Sequence, residues 1–205
     1  MPGGESAGVV TEVGSAVTRW SVGDSVIQLG GVGGFASEAV VNGNALLPKP
    51  DGIDFTAAAG VGMTYFTSYY ALKQRGQLKA GETMLVMGAA GGVGSTAVEL
   101  GKVMGARVIA AASSDEKLEL CKQLGADEVI NYNNESMKDR IKEITGGKGV
   151  DVDYDPVGGD FADPAVRSMA WNGRYLVIGF ASGPIPSIPL NPVSYTHLTL
   201  PTMIR

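Results

Sequence analysis

The chain has 205 residues, of which 16 are Lys or Arg and 21 are Asp or Glu, so its formal net charge is −5. The basic residues form no run, which argues against a nucleic-acid or anionic-membrane partner, because such partners are bound by clustered Lys and Arg. Hydrophobic residues at 44% and charged residues at 18% support a packed core and exclude general disorder.

The sequence lacks the patterns of a membrane span, a secretory leader and a cysteine-rich zinc site. No apolar run approaches the ~20 residues that span a bilayer, and the start lacks a basic, then apolar, secretory leader. We therefore expect a cytoplasmic protein that binds no membrane. The single cysteine, Cys121, cannot form an internal disulfide or a four-thiolate zinc site.

The first fifty residues interleave Gly with Val and Ala and are broken by Gly14, Gly23 and Pro48. This pattern predicts a small β-rich domain. Residues 56–72, rich in Ala and aromatic residues, predict a helix that leads into a second domain.

From Thr83 onward, short apolar runs alternate with segments whose apolar residues recur three and four positions apart. This alternation predicts βαβ units, in which a parallel, doubly wound α/β sheet carries helices on both faces. The predicted strands are 84–87, 107–112, 128–132, 150–155 and 174–178.

Three local signals refine the pattern. Ser113 and Glu116 have the spacing of a capping box, which predicts that Ser113 caps the second helix. Apolar residues from Phe161 to Met169 predict a fourth helix. Beyond Phe180 four prolines predict an extended segment.

A glycine-rich turn follows the first predicted strand directly, at residues 88–94. Ala89, Gly91 and Gly94 occupy the three positions of the dinucleotide fingerprint, with alanine in place of the first glycine. A turn with few Cβ atoms lets the backbone approach a pyrophosphate, which the free N–H groups of the helix start bind. We predict dinucleotide binding here, with Gly92 and Val93 included; the alternative is a purely structural turn.

The residues at the end of the second strand indicate which nicotinamide cofactor the chain binds. An NAD enzyme places Asp or Glu there to bind the ribose hydroxyls, whereas this chain has Ala112. Ser113, Ser114 and Lys117 follow and can donate to a 2′-phosphate, so the sequence favours NADPH. The alternative is that Ser113 only caps the helix and Lys117 is a surface charge.

Several motifs together resemble one family, the zinc-independent quinone oxidoreductase branch of the medium-chain dehydrogenase/reductase superfamily. The resemblance runs from Pro2 to about Asn191. It implies an incomplete Rossmann sheet preceded by the remnant of a small β-rich GroES-like domain. The motifs are Pro2–Glu5, Ala7–Val10, Val22–Val26, Gly34–Glu38, residues 88–94, Asn131–Tyr132, Asp155–Gly159 and Ile178–Gly183.

The resemblance assigns roles to individual residues. It places Lys117 and Tyr132 at the 2′-phosphate, Thr67 at the nicotinamide end, and Gly179 and Phe180 along the ribose and nicotinamide. Tyr65 is the candidate for orienting the substrate oxygen, with ordinary core packing as the alternative.

Zinc is not expected. The zinc branch carries a histidine where this chain has Gly4, and its cysteine-rich lobe has no room between Val26 and Gly34. A quinone or an α,β-unsaturated carbonyl spreads the charge of incoming hydride over a conjugated system and needs less help than an isolated ketone. We therefore expect hydride transfer from NADPH to such acceptors. The alternatives are a 2-enoyl-thioester reductase and a non-catalytic NADPH-binding structural or sensor protein.

The aspartates at 151, 153 and 155 alternate along a strand and are interpreted as structural. Asp155 lies at the cofactor edge of that strand. Asp153 replaces the apolar residue usual in this family, and the sequence offers no account of it.

The predicted domains are a partial GroES-like domain at 1–50, a Rossmann domain without its last strand at 51–192, and an artefactual tail at 193–205. The tail resembles a translated sequencing adapter, so His197 receives no catalytic role. We expect the full-length enzyme to be a homodimer. We expect this fragment to be inactive and to leave its fifth strand as an uncovered edge.

Overall fold

The computed structural model describes residues 3–189, together with residues 191, 193 and 199. The chain divides into two compact units, Met1–Phe66 and Thr67–Arg205. This division falls inside a helix, and the predicted domain boundaries at residues 50 and 192 stay predictions.

The first unit contains a three-stranded antiparallel sheet of β1 (Glu5–Val9), β2 (Ser25–Leu29) and β3 (Leu46–Pro48), in that order. A short 3-10 helix, Gly43–Ala45, precedes β3. A Cβ atom on Gly3, where φ is +87°, would lie 2.6 Å from the backbone nitrogen of Gly34. The β-rich start predicted from the sequence is confirmed.

Helix α1 (Phe55–Tyr69) continues into a π-helical turn, Tyr70–Arg75. The predicted helix at 56–72 is confirmed, and it extends by about one turn. Leu72 in this turn is fully buried in the core of the second unit.

The second unit is a five-stranded, fully parallel sheet in the order β6-β5-β4-β7-β8. The chain winds outward from β4 to β6, then crosses back to β7 and β8. The reversal places a crevice at the carboxyl edge beside β4. The strands are β4 (Thr83–Val86), β5 (Arg107–Ala112), β6 (Glu128–Asn131), β7 (Val150–Asp155) and β8 (Met169–Val177).

Helices cover both faces of this sheet, which confirms the predicted α/β fold class. On one face α2 (Gly92–Val103) and α3 (Asp115–Gln123) pack against the sheet; on the other, α4 (Met137–Ile144) and α5 (Ala162–Val166) do so. Alternate strand residues point to the two faces. Val86 and Tyr154 belong to the α2 face, whereas Leu85 and Tyr175 belong to the α4 face.

The predicted fourth helix is wrong at its C-terminal end. A 3-10 turn, Gly159–Phe161, leads into α5, which ends at Val166, and Met169 already belongs to β8. The reason is pairing in the sheet: Met169 lies opposite Val150 on β7. Strand β8 therefore begins five residues before the predicted start at 174.

The β8 edge is not fully uncovered, contrary to expectation. Thr199 forms a parallel bridge with Arg174, in which Tyr175 N donates to Thr199 O at 3.0 Å and Thr199 N donates to Gly173 O at 3.1 Å. His197 lies outside the described residues, as does most of the 193–205 segment, and the assignment of this tail as an artefact stays a prediction. Within the described part of the chain, no helix is both long and apolar enough to cross a membrane.

Candidate cofactor cleft

The glycine-rich turn lies between the carboxyl end of β4 and the first turn of α2. Gly91 N donates to Gly88 O at 2.9 Å, and α2 begins at Gly92 with Gly91 as an N-cap that supplies no side-chain hydrogen bond. The first N–H groups of a helix have no acceptor within the helix. This N-terminus can therefore donate to an anion.

The turn leaves no space for side chains at its critical glycines. A Cβ atom on Gly94 would lie 2.3 Å from Gly88 O, and one on Gly91 would lie 3.2 Å from the same oxygen. Gly88 itself has φ of +56° and approaches Val157, whose Cγ2 would lie 2.8 Å from an added Cβ. The close packing of this turn therefore requires glycine at these positions, as in turns that hold a pyrophosphate at a helix start. Gly88 was not among the predicted site residues, because a positive φ cannot be read from the motif.

A buried cluster of hydroxyl groups hydrogen-bonds with the first turns of α2. Ser68 Oγ donates to Val93 O at 2.9 Å and hydrogen-bonds with Thr96 Oγ1 and Tyr154 OH, each at 2.8 Å. Burial raises the pKa of Tyr154 to about 12, against the opposing effect of its hydrogen bond to Ser68. Sequence reasoning missed this cluster, since nothing in the spacing of residues 68, 96 and 154 links them.

The end of β5 carries the predicted 2′-phosphate residues. Ala112 is buried, and Lys117 Nζ donates to Ser113 Oγ at 3.0 Å. The N-cap of α3 is Ser114, whose Oγ accepts from Lys117 N at 3.4 Å. The predicted capping box at Ser113 is therefore wrong: Ser114 has the extended backbone of a cap, which leaves the Ser113 hydroxyl to pair with Lys117.

Neighbouring side chains complete this end of the cleft. The Tyr132 ring packs against Phe161, with centroids 4.6 Å apart and planes at 49°. Asn133 Nδ2 donates to Ser113 O at 2.9 Å, and Asn131 Nδ2 donates to Asp115 Oδ1 at 2.6 Å. Asp115 is thus an acid close to the proposed phosphate residues that sequence reasoning did not consider.

The loops after β7 and β8 meet at the same carboxyl edge. Ala181 N donates to Pro156 O and Ser182 N donates to Val157 O, both at 3.0 Å. A Cβ atom on Gly179 would lie 3.3 Å from Pro156 O. The predicted residues Gly179 and Phe180 therefore lie in a segment that is hydrogen-bonded to the β7 turn, and that turn contacts Gly88.

Tyr65 and Thr67 lie on α1, Tyr65 in the first unit and Thr67 in the second. Both are half-buried. Thr67 precedes Ser68 of the buried cluster, which fixes its place on the last turn of α1. Their assigned roles, and those of the other predicted site residues, stay predictions.

Two carboxyl groups lie one above the other on the α4 face of β7. Asp155 is buried and its side chain accepts hydrogen bonds from Val157 N at 2.7 Å, from Gly158 N at 2.9 Å, and from Tyr175 OH. Asp153 is fully buried, and neither of its side-chain oxygens has a hydrogen-bond partner among the described residues. Burial, and then the negative charge of Asp155, hold the pKa of Asp153 well above its usual range. The interpretation of Asp153 as structural stays a prediction.

The parallel sheet, its order reversal at β4 and the glycine turn define a Rossmann-type dinucleotide-binding fold. Residues 92–205 match the zinc-binding dehydrogenase family, and residues 1–51 match the alcohol dehydrogenase GroES-like domain. Among the described residues, no group of three or more His, Cys, Asp or Glu side chains is placed to hold a metal ion.

Individual relatives narrow the class. The chain is 44% identical over 193 residues to the quinone oxidoreductase-like protein 2 homolog of Nematostella vectensis, covering 93% of this chain and 53% of that protein. The quinone oxidoreductase of Pseudomonas syringae superposes with a TM-score of 0.89 at 37% identity, covering 98% of this chain and 63% of that one. The Escherichia coli quinone oxidoreductase, solved as a complex with NADPH, superposes with a TM-score of 0.89 at 32% identity, covering 98% and 62%.

The chain belongs to the medium-chain dehydrogenase/reductase superfamily, in its quinone oxidoreductase branch. It spans between about half and two thirds of the length of these relatives.

Proposed function

We propose that the protein is an oxidoreductase that transfers hydride from NADPH to a quinone or a small α,β-unsaturated carbonyl, without zinc. The observation that carries the proposal is the pairing of two features along one sheet edge. The open glycine turn at the start of α2 presents N–H groups, and the end of β5 presents Lys117 hydrogen-bonded to Ser113. A pyrophosphate suits the first feature and a 2′-phosphate the second.

The similarity to the Escherichia coli enzyme solved with NADPH supports this choice of cofactor. The absence of an acid at Ala112 supports it independently, because an acid there would bind the ribose hydroxyls of NAD. Asp115 is adjacent, but its carboxylate accepts a hydrogen bond from Asn131.

When bound, the nicotinamide cofactor supplies hydride chemistry, and the protein supplies binding and orientation. Residues 91–94 would bind the pyrophosphate, and Ser113, Ser114 and Lys117 the 2′-phosphate, with Tyr132 beside them. Gly179 and Phe180 would lie along the nicotinamide end, with Thr67 as a further contact. Tyr65 is the residue that we propose orients the acceptor oxygen.

Binding measurements with paired cofactors test the proposal. Isothermal titration of this chain should give clear binding of NADPH and weaker binding of NADH. Lys117→Ala should weaken NADPH affinity by about 10- to 150-fold, because one charge-assisted hydrogen bond contributes about 1.5–3 kcal/mol. NADH binding should stay unchanged, since NADH has no 2′-phosphate.

Lys122→Ala is the matched control, because Lys122 lies on the same helix and pairs with Glu119 at the surface. It should leave both affinities unchanged. Equal loss of NADPH and NADH affinity in Lys117→Ala would contradict the assignment of Lys117 to the 2′-phosphate, and tighter binding of NADH in the unaltered chain would contradict NADPH as the cofactor.

An acceptor panel assayed on the product of the complete gene separates the activities. NADPH oxidation by quinones or simple enones supports the proposed reaction. Oxidation by 2-enoyl thioesters alone favours the thioester reductase, and tight NADPH binding without oxidation favours a structural or sensor role.

A further inference from the structure

We propose that Asp155 is a positioning residue of the cofactor cleft, whose side chain fixes the turn after β7 and, through it, the segment after β8. This inference rests on the proposed function, because it concerns how the chain shapes the nicotinamide end of that cleft.

The Asp155 side chain organises the turn that follows it. Its Oδ1 accepts from the backbone N–H groups of Val157 and Gly158, at 2.7 and 2.9 Å. Gly158 has φ of +65°, a conformation that only glycine adopts readily. One oxygen therefore binds two successive N–H groups and closes a tight turn at the end of the strand.

The orientation of the carboxyl group is itself fixed. Tyr175 on the neighbouring strand β8 donates its hydroxyl to Asp155 Oδ2. Asp155 and Tyr175 are both buried, so water does not compete for these hydrogen bonds. The Asp155 carbonyl also accepts from Ile178 N at 2.9 Å, which joins the ends of β7 and β8.

The turn after β7 contacts two segments that line the proposed cleft. On one side, the Val157 side chain packs where Gly88 leaves space for it. On the other side, the carbonyl groups of Pro156 and Val157 accept from Ala181 and Ser182. Asp155, which is itself buried, thus connects the glycine turn with the segment that includes Gly179 and Phe180.

Two substitutions at Asp155 separate positioning from mere stability. Asp155→Ala removes all three side-chain hydrogen bonds, and NADPH affinity should fall by at least about tenfold. Asp155→Asn keeps an oxygen that accepts from Val157 and Gly158 and changes only the Tyr175 bond. It should recover most of the affinity.

Amide hydrogen exchange of the cofactor-free chain gives a second readout. Exchange at residues 157–158 and 181–182 should accelerate in Asp155→Ala and stay near the unaltered rate in Asp155→Asn. Ile141→Ala is the control: it removes a fully buried core side chain on α4, outside the cleft. It should lower the melting temperature yet leave both the NADPH affinity and this exchange unchanged.

The outcomes are distinguishable. If the unaltered chain fails to bind NADPH, the proposed function fails and this inference fails with it. If the unaltered chain binds and Asp155→Ala binds equally well, or if Ile141→Ala loses as much affinity for the same loss of stability, only the inference is overturned. If Asp155→Ala does not fold, Tyr175→Phe decides: faster exchange at 157–158 with weaker binding supports the inference, and no change in either overturns it.

Discussion

The buried polar groups on the two faces of strand β7 differ in whether they are hydrogen-bonded. On the α2 face the Tyr154 hydroxyl joins a cluster in which Ser68 has three partners. On the α4 face, one residue earlier in sequence, Asp153 is equally buried, and in the part of the chain that the structure describes neither of its side-chain oxygens has a hydrogen-bond partner. A satisfied cluster stabilises the start of α2, whereas an unpaired buried carboxyl group costs free energy. We therefore expect the buried polar groups of the α2 face to stabilise the fold around the cleft, and Asp153 on the α4 face to destabilise it.

The largest expected effect comes from Gly94→Ala, which acts where the α2 face meets the cofactor. The new Cβ would lie 2.3 Å from Gly88 O and 2.9 Å from the Ala89 Cα, so backbone must shift. We expect a loss of about 3 kcal/mol in unfolding free energy and no measurable NADPH binding by titration calorimetry. Gly60→Ala is the control, since an added Cβ on this α1 residue meets nothing within 4 Å. Unchanged binding in Gly94→Ala would remove the glycine turn from the site.

Asp153→Val should stabilise the protein by about 2 kcal/mol near neutral pH, because it replaces a buried carboxyl group that lies next to the Asp155 carboxylate. The raised pKa of Asp153 in the folded chain determines the direction in which stability changes with pH. Below the unfolded pKa of about 3.9 both states are protonated and the ionisation contributes nothing. As pH rises above that value only the unfolded state ionises readily, so the unaltered chain loses stability. Urea denaturation across pH should show the advantage of Asp153→Val growing upward from about pH 4, and an advantage independent of pH would mean that Asp153 finds a partner.

The smallest expected effect is that of Ser68→Ala, about 1.5 kcal/mol of lost stability, because it removes the shared partner of Thr96 and Tyr154. Adding Tyr154→Phe should cost less than the sum of the two single changes, since both remove the same hydrogen bond. A double-mutant cycle by urea denaturation measures this coupling. Strict additivity would show that the cluster does not act as a unit.

The parallel sheet could be predicted from the sequence because its signals are local. Strand β5, for example, is a continuous apolar run after Arg107, and the glycine turn begins two residues after the end of β4. Met169 was misassigned for the opposite reason: its apolar spacing fits a helix, and pairing with Val150 places it in a strand. The periodicity of apolar residues cannot predict strand pairing with a residue nineteen positions away.

The chemistry of the cleft was only partly predictable. Lys117 and Ser113 are close in sequence, and their pairing follows from one helical turn. The bonds of Asp155 with Tyr175, and of Ser68 with Tyr154, join residues 20 and 86 positions apart. No spacing rule reaches across strands in this way. The alternating aspartates pointed to Asp155, but whether a carboxyl group is satisfied, as in Asp155, or unpaired, as in Asp153, depends on packing.

The hydrogen bond between Ser68 and Tyr154 also bears on the order of folding. Contacts between residues this far apart in sequence require a large loop to close before they form. The local turn at 88–94 can form early, whereas the hydrogen bond that Tyr154 adds to the cluster requires β7 to have docked beside β4. Tyr154→Phe should therefore mainly accelerate unfolding and leave the refolding rate almost unchanged.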